Sequence, residues 1–332
     1  SGVVECQVTK DAWKVVYIND LNDLRVIPIN GGTQTNLAIF VEDFKIAKNS
    51  SNVVYIDNYD PVSKTGNLKV ISIGGGTPTL LDTDVSKFEI SDDSYKVVYL
   101  TGTDDLYIIS ISGGTRTLLM DDVESFRITP NSTKVVYIDN YEPVSETGDL
   151  NVISIGGGTP TVSATDVGNF AISADSNKVV YTDYDITNTQ YLNVIPISGG
   201  ASTVLLSDTT IKLFEVTPNS AKIVYSDNGT ASGWDLNVIA ITGGTPALLD
   251  TNTGFFLVTY DSAKVVYLDS INLAGVGELK VIPITGGISV SLSTGVADAD
   301  ITRALDGYYG RDYLRCGSTG GCISYPFFYP NK

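Results

Sequence analysis

The chain contains no histidine, one methionine, two tryptophans and three cysteines in 332 residues. Without imidazole there is no Ser-His or Cys-His nucleophile, no histidine metal ligand and no histidine pH switch. Positive charge is scarce too: 21 Lys and Arg face 38 Asp and Glu, a net charge of −17. Nucleic acid and anionic membranes both select a positive surface, so neither is expected as a partner. No apolar run approaches the ~18–20 residues of a membrane helix, so no bilayer span is expected.

What the chain does contain is Gly (32), Tyr (19) and many Ser, Thr and Asn, with only 18% charged residues. That mixture reads as a secreted or cell-surface β-protein, with the periplasm as the alternative. A first residue of Ser in place of Met reads as a processed chain or an excised piece.

One unit recurs seven times. Its marker KVVY ends at Tyr17, Tyr55, Tyr99, Tyr137, Tyr181, Tyr225 and Tyr267, with spacings of 38, 44, 38, 44, 44 and 42. A second phrase, LxVIxIxGG, follows each marker, its glycine pairs starting at Gly31, Gly75, Gly113, Gly157, Gly199, Gly243 and Gly286. The segment from Asp57 returns almost unchanged 82 residues later from Asp139, which reads as internal duplication. Short runs of Val, Ile, Tyr and Thr split by Gly, Asn, Asp and Pro predict four strands per unit, a to d. Strands b and c are apolar on nearly every residue, so both faces of each sheet must be covered. Four-stranded sheets of ~40–45 residues, each buried between neighbours, predict an all-β propeller; a solenoid is the runner-up.

The phrase SDDSYKVVYL with LYIISISGGTRTLL, and TPNSTKVVYI with LNVISIGGGTPTVS, resembles the WD-repeat-like unit of TolB-type β-propellers over about residues 3–292. The resemblance implies the fold; that propeller serves binding proteins, peptidases and surface proteins alike. Residues 1–295 are thus expected to form the propeller. Residues 296–332 align as another half unit, VADADITRALDGYY over VESFRITPNSTKVV. A degenerate eighth blade and a packed tail are both open readings of that segment.

The candidate sites are few. Gly-Gly-Thr motifs, with no helix pattern behind them, read as hairpin turns and not as phosphate loops. Acidic loops after strand b suggest Ca²⁺, with Asp57, Asp60, Asp139, Glu142, Asp183 and Asp185 as ligands, against a plain solvated face. Cys6 occupies the slot of Phe44, Phe88, Phe126, Phe170, Phe214 and Phe256, so a core position is expected. Cys316 and Cys322 bracket GSTGG and are expected to form a disulfide in an oxidising compartment, with Cys6 as the competing partner. The sequons mark Asn49, Asn131 and Asn228 as candidate glycosylation sites. Tyr325, Phe327, Phe328 and Tyr329 form an aromatic cluster suited to an assembly contact. Strand b opens with lysine in six of the seven units, at the end opposite the acidic loops. A two-faced molecule that stacks head to tail is therefore expected. No carboxylate pair is singled out for acid–base work, so the chain is expected not to be an enzyme. The functional expectation is a structural, self-associating propeller. A monomeric TolB-like protein-binding module is the alternative, and a polysaccharide-acting propeller enzyme the second alternative.

Overall fold

The computed structural model describes residues 2–297, except 188, 208–209, 228–232 and 271–275, together with the backbone of two short strands, 314–316 and 322–324. Among the described residues there is no helix. No helix among the described residues is long and apolar enough to cross a membrane.

Blade one is β1 (Val3–Val8), β2 (Lys14–Asn19), β3 (Leu24–Pro28) and β4 (Thr35–Ala38). Blades two and three share one sheet: β5 (Val41–Ile46), β6 (Asn52–Asp60), β7 (Thr65–Ser72), β8 (Thr79–Ile90), β9 (Lys96–Thr101), β10 (Leu106–Ser110) and β11 (Thr117–Met120). Blades four and five follow as β12 (Val123–Ile128), β13 (Lys134–Glu142), β14 (Thr147–Ser154), β15 (Thr161–Ile172), β16 (Lys178–Tyr184), β17 (Gln190–Pro196) and β18 (Thr203–Ser207). Blades six and seven are β19 (Leu213–Val216), β20 (Lys222–Asp227), β21 (Trp234–Ala240), β22 (Ala247–Val258), β23 (Lys264–Asp269), β24 (Val276–Pro283) and β25 (Val290–Ala297). A last hairpin pairs β26 (Leu314–Cys316) with β27 (Cys322–Ser324).

The seven-stranded sheets arise because β8, β15 and β22 each serve two blades. The first half of β8 pairs with β7 as strand d; its second half pairs with β9 as the next strand a. Between the halves Asp84 takes a φ of 60°, a short polar residue tolerating the left-handed region. By contact density the chain divides into two compact units, one of residues 1–135, 153–159 and 303–332, the other of 136–152 and 160–302.

The expectation that strands b and c are covered on both faces holds. Val54 and Ile56 of blade two join Val97 and Tyr99 of blade three in one core. Val53 and Tyr55 point the other way, into a core with Val16 and Ile18 of blade one. At ~1.5–3 kcal/mol per buried large apolar side chain, this two-sided burial is the main stabilising term of the sheet stack.

The turns between strands a and b lock neighbouring blades. Thr9 Oγ1 donates to Asp11 Oδ1 at 2.5 Å and accepts from Lys14 N at 3.0 Å, closing the turn. The next position is left-handed in every blade: Ala12, Ser50, Ser94, Ser132, Ser176, Ser220 and Ser262 have φ between 58° and 65°. In the later blades that serine hydroxyl accepts an amide from the preceding turn: Asn49 N to Ser94 at 3.0 Å, Asp93 N to Ser132 at 3.0 Å, Asp175 N to Ser220 at 3.0 Å and Asn219 N to Ser262 at 2.9 Å.

Two expectations need correction. Cys6 pairs with Tyr17 as Phe44 pairs with Tyr55, yet it is exposed, because no described blade covers that side of β1. The lysine end is not a uniformly positive face either. The turn chemistry requires an Asp or Asn there, so Asp11, Asp93, Asp175 and Asp261 sit beside Lys14, Lys96, Lys178 and Lys264.

Candidate functional site

Among the described residues no group of three Asp, Glu or Cys gathers to hold a metal ion. The six carboxylates expected for Ca²⁺ fall two each at the ends of β6, β13 and β16, and most are engaged locally. Asp57 Oδ2 holds Lys69 Nζ at 2.7 Å. Asp60 Oδ1 accepts Val62 N at 2.9 Å. Asp139 and Asp183 accept the amides of Asn151 (2.8 Å) and Asn193 (2.7 Å). Glu142 lies at the end of β13 and its carbonyl accepts Glu146 N at 2.8 Å. Burial, set against the Asn193 bond and reinforced by Asp166 and Asp185, raises the Asp183 carboxyl. Asp185 caps its own loop, accepting Thr187 Oγ1 (2.6 Å), Thr187 N (2.8 Å), Thr189 N (2.9 Å) and Tyr191 Oη (3.0 Å), which lowers it to about 2.

Asn49 and Asn131 stand exposed in a–b turns, as expected for glycosylation candidates. Their Oδ1 atoms accept Ser51 N and Thr133 N at 3.0 and 3.1 Å. Asn228 lies outside the described residues. Cys316 and Cys322 are direct partners in the β26–β27 register, while Tyr325, Phe327, Phe328 and Tyr329 lie outside the described residues.

Among the described residues, blade three departs from the repeat. In the slot opposite the KVVY tyrosine the other blades carry a polar side chain: Arg25, Lys69, Asn151, Asn193, Asn237 or Lys280. Blade three carries Tyr107, opposite Tyr99. The two rings stack at 5.9 Å with an interplanar angle of 21°. Its glycine turn also departs from the repeat, with Arg116 where the duplicated units have Pro78 and Pro160. The Arg116 guanidinium lies 4.2 Å over the Tyr107 ring and is paired with Asp82 Oδ2. Tyr99 Oη donates to the same carboxylate oxygen at 2.6 Å. Burial, then the Asp82 bond, pushes the Tyr99 hydroxyl far above its ordinary range, so it stays protonated. Asp84, Thr101, Thr103 and Asp105 complete an open polar cleft of about 270 Å³. The arrangement offers a fixed guanidinium, an aromatic ring and a wall of hydroxyls and carboxylates, groups that suit a small polyhydroxylated ligand.

The sequence reading missed Arg116 and Tyr107. The available signal was that blade three alone breaks the repeat with an aromatic at one position and a cation at the other, two positions that the strand register brings together.

A second feature repeats. In blades two to six the second residue of strand d is aliphatic and 49–65% exposed: Leu80, Leu118, Val162, Val204 and Leu248. These residues pair with strand c on one side only, so each lies on a free sheet edge.

No protein-family model matches the chain, and no curated protein matches it. Solved structures do match. The structure titled "Oligogalacturonate lyase in complex with manganese" aligns over 82% of this chain and 86% of that one, at 11% identity and a TM-score of 0.55. The tricorn protease aligns over 89% of this chain and 34% of its own, at 10% identity and a TM-score of 0.55. TolB from Acinetobacter baumannii aligns over 85% of this chain and 77% of its own, at 14% identity and a TM-score of 0.43. The fold is that of a β-propeller. The lyase neighbour overturns the expectation that the chain is not an enzyme, since the same fold carries catalysis there. Lack of histidine excludes imidazole chemistry alone.

Proposed function

We propose that the chain is a secreted or cell-surface propeller that associates with copies of itself through the free edges of its blades. The observation that carries this reading is the aliphatic series Leu80, Leu118, Val162, Val204 and Leu248 on strands paired on one side only. Free edges usually carry Lys or Pro to block strand addition. The d strands here read TLLD, TLLM, TVSA, TVLLS and ALLD, without either. Two such edges can pair backbone to backbone while their aliphatic side chains leave water. The net charge of −17 opposes association, so ionic strength must strengthen it. Edge pairing replaces the face-to-face stacking expected from sequence, because the lysine end carries its own aspartates. The test is sedimentation of the chain and of Leu118→Lys/Leu248→Lys over a concentration and salt series. The proposal expects the parent to associate and the variant to remain single. A parent that stays a single chain throughout overturns it and leaves a monomeric binding module.

A second reading rests on the blade-three cleft, where Arg116, Tyr107 and Asp82 meet, a combination that the sequences of the other blades do not repeat. Its chemistry suits a neutral polyhydroxylated sugar unit, held by the hydroxyls, the carboxylates and the face of Tyr107. Titration with a neutral oligosaccharide, against Tyr107→Asn and Arg116→Pro, tests it. Those substitutions restore residues other blades carry at the same positions, so loss of binding without loss of fold supports the site, and equal binding by both chains sinks it.

A further inference from the structure

The b–c turns of blades two and four are one turn in two versions. Residues 60–66 read DPVSKTG and residues 142–148 read EPVSETG. In both, the acid, the proline and the next three residues are exposed. Both close in the same way. The main-chain carbonyl of the acid accepts an amide four residues on, Lys64 N to Asp60 O at 2.7 Å and Glu146 N to Glu142 O at 2.8 Å. Lys64 and Glu146 are left-handed at φ of 58° and 57°. Only the acid side chains differ in what they do. Asp60 Oδ1 accepts Val62 N at 2.9 Å, so the carboxylate is held across the Asp60–Pro61 peptide.

An aspartate followed by proline has an unusual intramolecular reaction open to it. At other Asp-X bonds the backbone nitrogen of X can attack the side chain, but the proline nitrogen carries no hydrogen to lose. The carboxyl can instead attack its own main-chain carbonyl, closing a five-membered ring. A glutamate must close a six-membered ring and freeze one more bond. In blade two the Lys64 amide already donates to the carbonyl under attack, where negative charge develops.

We propose that the blade-two turn is a self-cleaving site, cut at the Asp60–Pro61 bond. A side-chain oxygen of Asp60 bonds to the Asp60 carbonyl carbon, the carboxyl proton passes to the Pro61 nitrogen, and the C–N bond breaks. The products are a cyclic anhydride at Asp60 and a secondary amine at Pro61; water then opens the anhydride to two carboxyls. The leaving nitrogen needs a proton, so mild acid speeds the step. The nicked blade holds together, because β6 and β7 stay paired from Asn52 with Ser72 to Asp57 with Asn67. Blade four, with glutamate in the same turn, keeps its bond. The proposal stands whether or not copies associate and whether or not the blade-three cleft binds a sugar.

The test is denaturing mass spectrometry of the full chain held at about pH 5, where the fold is retained, beside Asp60→Glu and Glu142→Asp. Each substitution installs the residue that the other turn carries, so both chains should fold. The parent should yield fragments 1–60 and 61–332 about ten-fold or more faster than any cut after Glu142. Asp60→Glu should abolish those fragments, and Glu142→Asp should add a cut before Pro143. The urea-unfolded parent, without the Lys64 bond, should cleave about ten-fold more slowly than the folded one. An intact parent, a cut that survives Asp60→Glu, no new cut in Glu142→Asp, or an equal or faster rate in urea overturns the proposal.

Discussion

The backbone amide of Asp93 donates to the hydroxyl of Ser132 across 3.0 Å, tying the turn of blade three to that of blade four. The bond explains why a serine holds a φ of 59° where glycine would be easier. Replacing Ser132 by Ala should cost about 1 kcal/mol, the net worth of one hydrogen bond. Ser132→Gly loses the same bond but relieves about 1 kcal/mol of backbone strain, so it should cost less. Ala12→Ser should gain nothing, since no described turn donates to it. Urea unfolding of the three variants checks the order.

Gly66 sits on β7 against the end of β6, and its lack of a side chain is required by space. A Cβ there would lie 2.6 Å from both the Asp57 carbonyl and Ile56 Cγ2, the former being backbone that cannot swing aside. Gly66→Ala should therefore destabilise by about 2–4 kcal/mol. Gly148, the duplicated position, meets the Asp139 carbonyl at 2.5 Å and should behave alike. Melting of each single variant tests this, and a loss below the range expected for ordinary surface substitutions would show that β6 can shift.

The blades were legible because KVVY and LxVIxI are apolar at successive positions, and only a sheet covered twice accommodates that. The turns were partly legible: the S-x-D/N-S phrase was visible, but not that its second serine reaches the preceding blade. Cys6 was misplaced because its slot was read by alignment alone; whether a slot is core depends on what packs over it. Arg116 and Tyr107 are nine residues apart. Their stacking comes from the glycine turn folding strand d back on strand c, which spacing does not reveal. The acidic loops drew attention by count, whereas geometry shows Asp57, Asp139 and Asp183 bonded to a cross-strand Lys or Asn.

Asp104 is held in the left-handed conformation beside Asp105 and Asp122. Burial raises its carboxyl, and the two neighbouring acids raise it further. Asp104→Asn keeps the φ preference and removes one like charge, so it should stabilise by about 0.5 kcal/mol at neutral pH, the usual surface value. The gain should shrink as the parent protonates in acid. Parallel melts of parent and variant at neutral pH and near pH 4 decide it; a variant less stable than the parent at neutral pH refutes the repulsion argument.

Acid should act on the fold in two opposed stages. Burial raises Asp104, Asp183 and Glu124 from their ordinary values. Their charged forms are disfavoured in the folded chain, so protonation just above those ordinary values should stabilise it slightly. Asp185 moves the other way, to about 2, because the hydroxyl of Thr187 and the amide of Thr189 bind its charged form. Asp11 and Asp261 are also lowered, first by the hydroxyls of Thr9 and Thr259. For such depressed groups the stabilisation is complete above the unfolded carboxyl value and disappears as pH falls through the folded one. Stability should therefore rise a little from neutral pH toward about 5, then fall between about 4 and 2. Asp185→Asn should flatten part of the acid limb while leaving the first stage unchanged. A Tm that declines steadily from pH 7 downward would show that the loop carboxylates do not govern the acid response.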